Sequence, residues 1–296
     1  MATTLVAAVV ALVLGHVAPG FVAALRQYDW FDHWMQWLDE RFPQDGFWRG
    51  RYGIVLALLL PLLLVGLLQF LLDGPLFGLL GLAFGIAMLV YAWGPGDLDA
   101  DVEAILEAHS PQTRQEAIAR LWPDGLAPAT PDGPALVEAV FHNALRRWFG
   151  VLFWFLLLGP FGAVAYRLTV RAVRPGSPLP AATREGAGTL QAVLEWPVAQ
   201  LMTLAMALVG NFDVVFRAWR ETRGAELQLD AGFLTAAARA SVKSELAEEA
   251  EDYAEEGMVQ AMRELPELHD AMSFVWRILL LWMVMLALLV IAGWVS

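Results

Sequence analysis

Apolar residues gather in long runs along this chain, and charged residues fall mostly between the runs. Gly53 to Leu72 carries Gln69 as its one strongly polar side chain. Twenty residues at 1.5 Å each match the roughly 30 Å hydrocarbon layer of a bilayer, so the run predicts a transmembrane helix. Asp73-Gly74-Pro75 then supplies turn residues, and Leu76 to Trp93 is a second apolar run closed by Tyr91 and Trp93. The two form a predicted helical hairpin. Phe274 to Val295 predicts a third span, with Arg277 near its start, where a long side chain reaches the headgroups. Met1 to Leu25 is apolar but broken at Gly15-His16 and Pro19-Gly20, and it lacks the basic start and cleavage pattern of a signal peptide. It reads as a retained, kinked membrane helix.

Two central runs are less regular. Phe149 to Val164 is interrupted by Gly159-Pro160-Phe161-Gly162 and ends in Tyr166-Arg167, with Arg171 and Arg174 beyond. Leu194 to Phe212 is long enough to cross a membrane but opens with Glu195, Trp196 and Pro197. The pair either crosses twice or dips in twice. Both cases leave Asp213 to Ser273 on the same side as the hairpin's flanks. Those flanks, Arg26 to Arg51 and Asp97 to Arg147, carry four arginines each against none at the hairpin tip, which predicts a cytoplasmic location.

The fold class expected is all-α: a polytopic helical membrane protein with an early transmembrane hairpin, kinked or re-entrant central helices, a cytoplasmic helical region and a C-terminal transmembrane helix. Its segments are 1–52 (kinked membrane helix and cytoplasmic amphipathic stretch), 53–93 (hairpin), 94–148 (cytoplasmic helices), 149–212 (central membrane-embedded helices), 213–273 (acidic cytoplasmic helices) and 274–296 (last span). In the first cytoplasmic region, prolines punctuate helices expected near Asp101–His109 and Gln112–Leu121 and from Ala135. In the second, Leu234, Ala238, Val242, Leu246, Ala250 and Tyr253 recur at three- or four-residue spacing, an amphipathic pattern. Seven acids lie between Glu245 and Glu256. Glu248, Asp252 and Glu256 stand four apart and repel one another, so they form either a solvated face or a docking face for a protein partner.

Composition sharpens the class. Hydrophobic residues make up 58% of the 296 and charged residues 17%, whereas soluble domains hold about 45–50% apolar residues. The bilayer is therefore the first partner. A net charge of -12 and a single lysine, Lys243, exclude a nucleic-acid partner, which needs clustered basic side chains. The absence of cysteine removes disulfides, thiolate metal sites and catalytic thiols. Thirteen tryptophans fit interfacial belts. Neither a P-loop nor a dinucleotide-binding glycine pattern occurs, which weighs against nucleotide hydrolysis. No cofactor is indicated. The histidines stand alone in the sequence, so no metal site is expected.

Near the membrane, Glu138, His142 and Arg146 fall at i, i+4 and i+8, with Asn143 and Arg147 beside them. Together with Tyr166, Arg167, Glu195 and Trp196 they are the candidate ligand-binding residues, because guanidinium forks suit carboxylate and phosphate groups. The competing reading is that the arginines anchor helices and pair internally. For Glu195 the alternatives are a cap at a helix N-terminus or a ligand contact.

The stretches RRWFGVLFWFLLLGPFGAVAYRLTVRAV and LEWPVAQLMTLAMALVGNFDVVFRAW, within Arg146 to Trp219, resemble the AmpE family of the wider CobD/CbiB superfamily. That resemblance implies an inner-membrane regulatory protein, paired functionally with the cytosolic amidase AmpD and linked to beta-lactamase induction and cell-wall recycling. The CobD/CbiB branch implies instead an amide-forming enzyme, or a binder of an amphiphilic carboxylate or phosphate of corrinoid type. Two departures weigh against synthase activity. His142-Asn143-Ala144 stands where an Asn-Asp-Gly-like segment is expected, and Gln200 stands where Asp-Trp-x-Pro-x-Arg would place an arginine. The implied member is non-catalytic or chemically altered.

Overall fold

The computed structural model describes residues 6–7, 9–11, 27–43, 46–72, 78–94, 97–122, 128, 131–222, 230–255 and 265–292. The regular structure among them is helical, with no strand. Most of the predicted first membrane helix, the Asp73-Gly74-Pro75 turn and Glu256 lie outside the described residues. The chain divides into two compact units. One is built from 1–95, 146–195 and 286–296, the other from 96–145 and 196–285.

In the first unit, α1 (Asp29–Arg41) turns Phe31, Met35 and Leu38 inward at helical spacing and stops at Phe42-Pro43. A short 3-10 turn, Phe47–Arg49, buries Trp48, whose indole donates to Asp39 Oδ1 at 3.0 Å. The hairpin helices follow as α2 (Gly53–Leu72) and α3 (Gly78–Ala92). Leu59, Leu63, Leu64, Leu67 and Phe70 of α2 are exposed. An apolar helix with so little cover is out of place in water and suited to lipid.

Next come a π-type segment, Leu145–Phe149, and the helices α7 (Gly150–Leu158) and α8 (Pro160–Val173), numbered after the second unit's α4 to α6. Gly159 separates α7 from α8 with φ +69°, a conformation glycine adopts without strain. The chain folds back sharply here: a Cβ on Gly162 would overlap the Trp154 carbonyl oxygen, eight residues away in sequence. The nine residues of α7 are the last part of a run that is helical without interruption from Gly133, through the π-type segment, to Leu158. This half of the central region is a packed helical hairpin.

The second unit holds α4 (Leu98–Leu106), α5 (Pro111–Ala119) and α6 (Gly133–Ala144), each with a side-chain N-cap: Asp97, Ser110 and Asp132. It continues with α10 (Phe212–Thr222), α11 (Gly232–Glu255) and most of α12 (Pro266–Ile291). Helix α11 packs on α6 and α10. Its apolar stripe is buried at Leu234, Ala238 and Val242, but Leu246 is half-buried and Ala250 is exposed. The predicted full-length stripe is thus covered only over its first half. A reason lies in length: the 12-residue α6 spans about 18 Å, while the 24-residue α11 spans about 36 Å.

Helix α9 (Ala181–Val209) belongs to both units, which divide it between Glu195 and Trp196. Among the described residues, three helices are long and apolar enough to cross a membrane: α2, α9, and α12 over Pro266–Leu288. Two expectations change here. The helix that carries the last predicted span begins at Pro266, ahead of Phe274, because a helix nucleated at a first-turn proline incorporates the polar Glu267–Asp270 turn. Leu194 to Phe212 is not a separate element: its N-terminal end continues from Ala181, and it breaks at Gly210-Asn211 before α10.

Candidate functional site

Because α9 starts at Ala181, Glu195 is the fifteenth of 29 residues and cannot cap a helix N-terminus. The cap reading is overturned because the α-helix runs unbroken from Ala181 through the polar stretch Thr183–Gln191, despite the two glycines and two threonines in it. Glu195 is instead buried at mid-helix, and three donors meet it. Arg146 Nε reaches its Oε1 at 2.8 Å, Gln191 Nε2 reaches the same oxygen at 2.6 Å, and the Tyr166 hydroxyl hydrogen-bonds the carboxylate. The Arg146 side chain keeps 29% of its surface exposed and Glu195 only 7%. The pair joins the first and last residues of the 146–195 segment of the first unit.

Each neighbour is placed by a local feature. Tyr166 is fully buried on α8, and its ring fills the space left by the missing side chain of Gly150 on α7. Trp154 of α7 donates its indole N–H to Leu194 O at 3.1 Å, tying that helix to α9 one residue before Glu195. Arg167 follows Tyr166 and is also buried; it donates to Ala92 O at 2.6 Å and to Arg146 O at 3.5 Å. Both acceptors are main-chain carbonyls, so Arg167 brings a second positive charge beside the cluster through dipoles, not through a carboxylate. Arg147 is buried as well, and its main-chain O accepts from Gly94 N at 3.1 Å.

Of the predicted row, Glu138 and His142 lie on α6, and Arg146 lies in the π-type segment Leu145–Phe149 that follows it. Within the second unit, Glu138 pairs with Arg239 at 2.8 Å. Asn143 donates both amide N–H groups, to Leu121 O and Ala139 O, each at 2.8 Å, tying α6 to the turn that follows α5. His142 and Trp196 are each half-buried.

Gln191 is a site residue the sequence reading missed. Its signal was its position four residues before Glu195, visible once α9 is extended upstream. Gly150 was missed because only the fold shows which ring needs its space. In the acidic helix, Glu245 pairs with Arg277 at 2.8 Å and Glu248 accepts from Ser244 Oγ at 3.1 Å, while Glu248 and Asp252 are exposed.

Compared with known protein families, curated proteins and solved structures, the chain matches none.

Proposed function

We propose that this chain is an inner-membrane regulatory protein, of the kind its resemblance to the AmpE family implies, and that it binds an amphiphilic anion at the cluster around Glu195. The observation that supports this is the Arg146–Glu195 pair, a guanidinium already engaged by a carboxylate inside an apolar bundle. An ionisable pair there is costly to keep and marks function more often than stability. Glu195 acts as the resident occupant of an anion site. A carboxylate or phosphate head group of similar shape exchanges with it at Arg146, drawn further by Arg167 and the Tyr166 hydroxyl.

Exchange gives regulation a route. Pro197 lies two residues beyond Glu195 inside α9 and cannot donate to the Val193 carbonyl, so the helix is weakest beside the site. Freeing Glu195 at that point shifts α9, and the apolar surroundings select a ligand with a lipid-like tail. Amide synthesis is the less supported reading. Gln200, where an arginine would be expected, accepts from the Trp219 indole at 3.0 Å, and both Asn143 amide N–H groups are engaged by main-chain carbonyls.

Binding tests the proposal. Protein in an uncharged detergent is titrated with single-chain amphiphiles of equal length bearing phosphate, carboxylate or trimethylammonium heads. Binding of both anions but not the cation, lost in Arg167→Gln, is expected; equal binding of the cation refutes an anion site. A deletion strain assayed for beta-lactamase induction and for cobalamin-dependent growth separates the regulatory role from the corrinoid one.

A further inference from the structure

Gln69 is the one strongly polar side chain in α2, seventeenth of its 20 residues, on a helix otherwise suited to lipid. A glutamine is expensive there unless its amide is used. Both ends of it are used, and both contacts fall on the break between α7 and α8. Gln69 Nε2 donates to the Leu158 carbonyl at 3.1 Å, and Gln69 Oε1 accepts from the Phe161 amide at 2.9 Å. Leu158 ends α7, and Phe161 is the second residue of α8. One side chain therefore satisfies an orphan carbonyl on one side of the break and an orphan N–H on the other.

In water such groups would be hydrated. Within hydrocarbon they have no solvent partner, and broken helices persist only where protein supplies one. The fit is close: a Cβ on Gly159 would lie 2.8 Å from Gln69 Nε2, and one on Gly66, a turn earlier in α2, would lie 3.4 Å from the Phe161 ring.

We propose that Gln69 is a positioning residue for the anion site. Its amide clamps the α7–α8 break and so sets where α8 carries Tyr166 and Arg167, five and six residues beyond Phe161. This rests on the anion-binding reading of the cluster, and the test separates the two. The clamp is read by hydrogen exchange at the Phe161 amide, and the site by affinity for decyl sulfate, whose charge does not change with pH.

In Gln69→Met, nearly the same size but without hydrogen bonds, Phe161 exchange is expected to rise about tenfold or more and decyl sulfate affinity to fall about tenfold. Gln69→Glu provides the rescue. Its protonated acid offers one acceptor and one O–H donor, as the amide does, whereas the carboxylate offers acceptors only. Relative to wild type at each pH, Gln69→Glu is expected to bind closer to normally at about pH 4, where an ordinary glutamic acid is mostly protonated, than at pH 8. This reversal would not follow from lost packing. Unchanged exchange in Gln69→Met, or pH-independent binding in Gln69→Glu, overturns the clamp. Fast Phe161 exchange in Gln69→Met with no decyl sulfate binding by wild type overturns the anion site and leaves the clamp standing.

Discussion

The ring of Tyr166 rests against the Cα of Gly150, so closely that a Cβ there would overlap the phenol. One small residue thus sets how near the two arms of the α7–α8 hairpin approach, and whether the Tyr166 hydroxyl reaches Glu195. Gly150→Ala is expected to push the ring aside and to cost about 1–3 kcal/mol, the usual penalty for overpacking a filled interior. A thermal midpoint in detergent within error of wild type would contradict this packing.

The two partners of the buried ion pair differ in what their loss leaves behind. Arg146→Ala strands a carboxylate whose side chain is 7% exposed, whereas Glu195→Gln leaves a guanidinium at 29% that can turn toward water and keeps an amide in the pocket. Expected losses are about 3 kcal/mol for Arg146→Ala and about 1 kcal/mol for Glu195→Gln. Chemical unfolding of the two variants should rank them in that order; the reverse order would mean that Glu195 is not the desolvated partner.

Lipid contact predicts a labelling pattern on a chain that has no cysteine of its own. Cysteines replacing Leu63 on α2 and Val284 on α12, both exposed, should resist water-soluble maleimide in membranes, while Glu248→Cys should react. Leu63→Arg should reduce insertion, since a central arginine costs about 2.5–3.5 kcal/mol. Equal reactivity at all three positions would remove the membrane assignment of α2 and α12.

The second half of α11 presents Glu248 and Asp252 to solvent, and its apolar side is not fully covered beyond Val242. As a docking face for a protein partner, it should attract that partner through charge and lose it as salt shortens the roughly 8 Å screening length. Pull-down from membranes with wild type and with Glu248→Gln, Asp252→Asn, Glu256→Gln, each at low and high salt, checks this. A partner set unchanged across the four conditions would mean a merely solvated face.

Much of the fold was legible because hydrophobic length and turn chemistry are local. The span Gly53–Leu72 agrees with α2 at both ends, and Gly159-Pro160 marked the hairpin break. What failed depended on continuity through polar residues. Thr183 to Gln191 gave no membrane signal, so the start of α9 was hidden, and Glu195 was read as a helix terminus. The site was legible in part for the same reason: Arg146, Tyr166, Arg167 and Glu195 were named together as polar residues beside apolar runs, and they do meet. The π-type turn at Leu145–Phe149 has no signature in residue spacing, so it could not be expected.

On the proposed function, Glu195 is an internal stand-in for an anionic ligand at Arg146. Removing its charge while keeping its shape asks this directly. Glu195→Gln, titrated with a decyl phosphate probe in uncharged detergent, is expected to bind several-fold more tightly than wild type, because the competing carboxylate is gone, and Glu195→Gln combined with Arg146→Gln should lose the gain. Weaker binding by Glu195→Gln than by wild type would mean that the carboxylate itself contacts the ligand, and would contradict the claim.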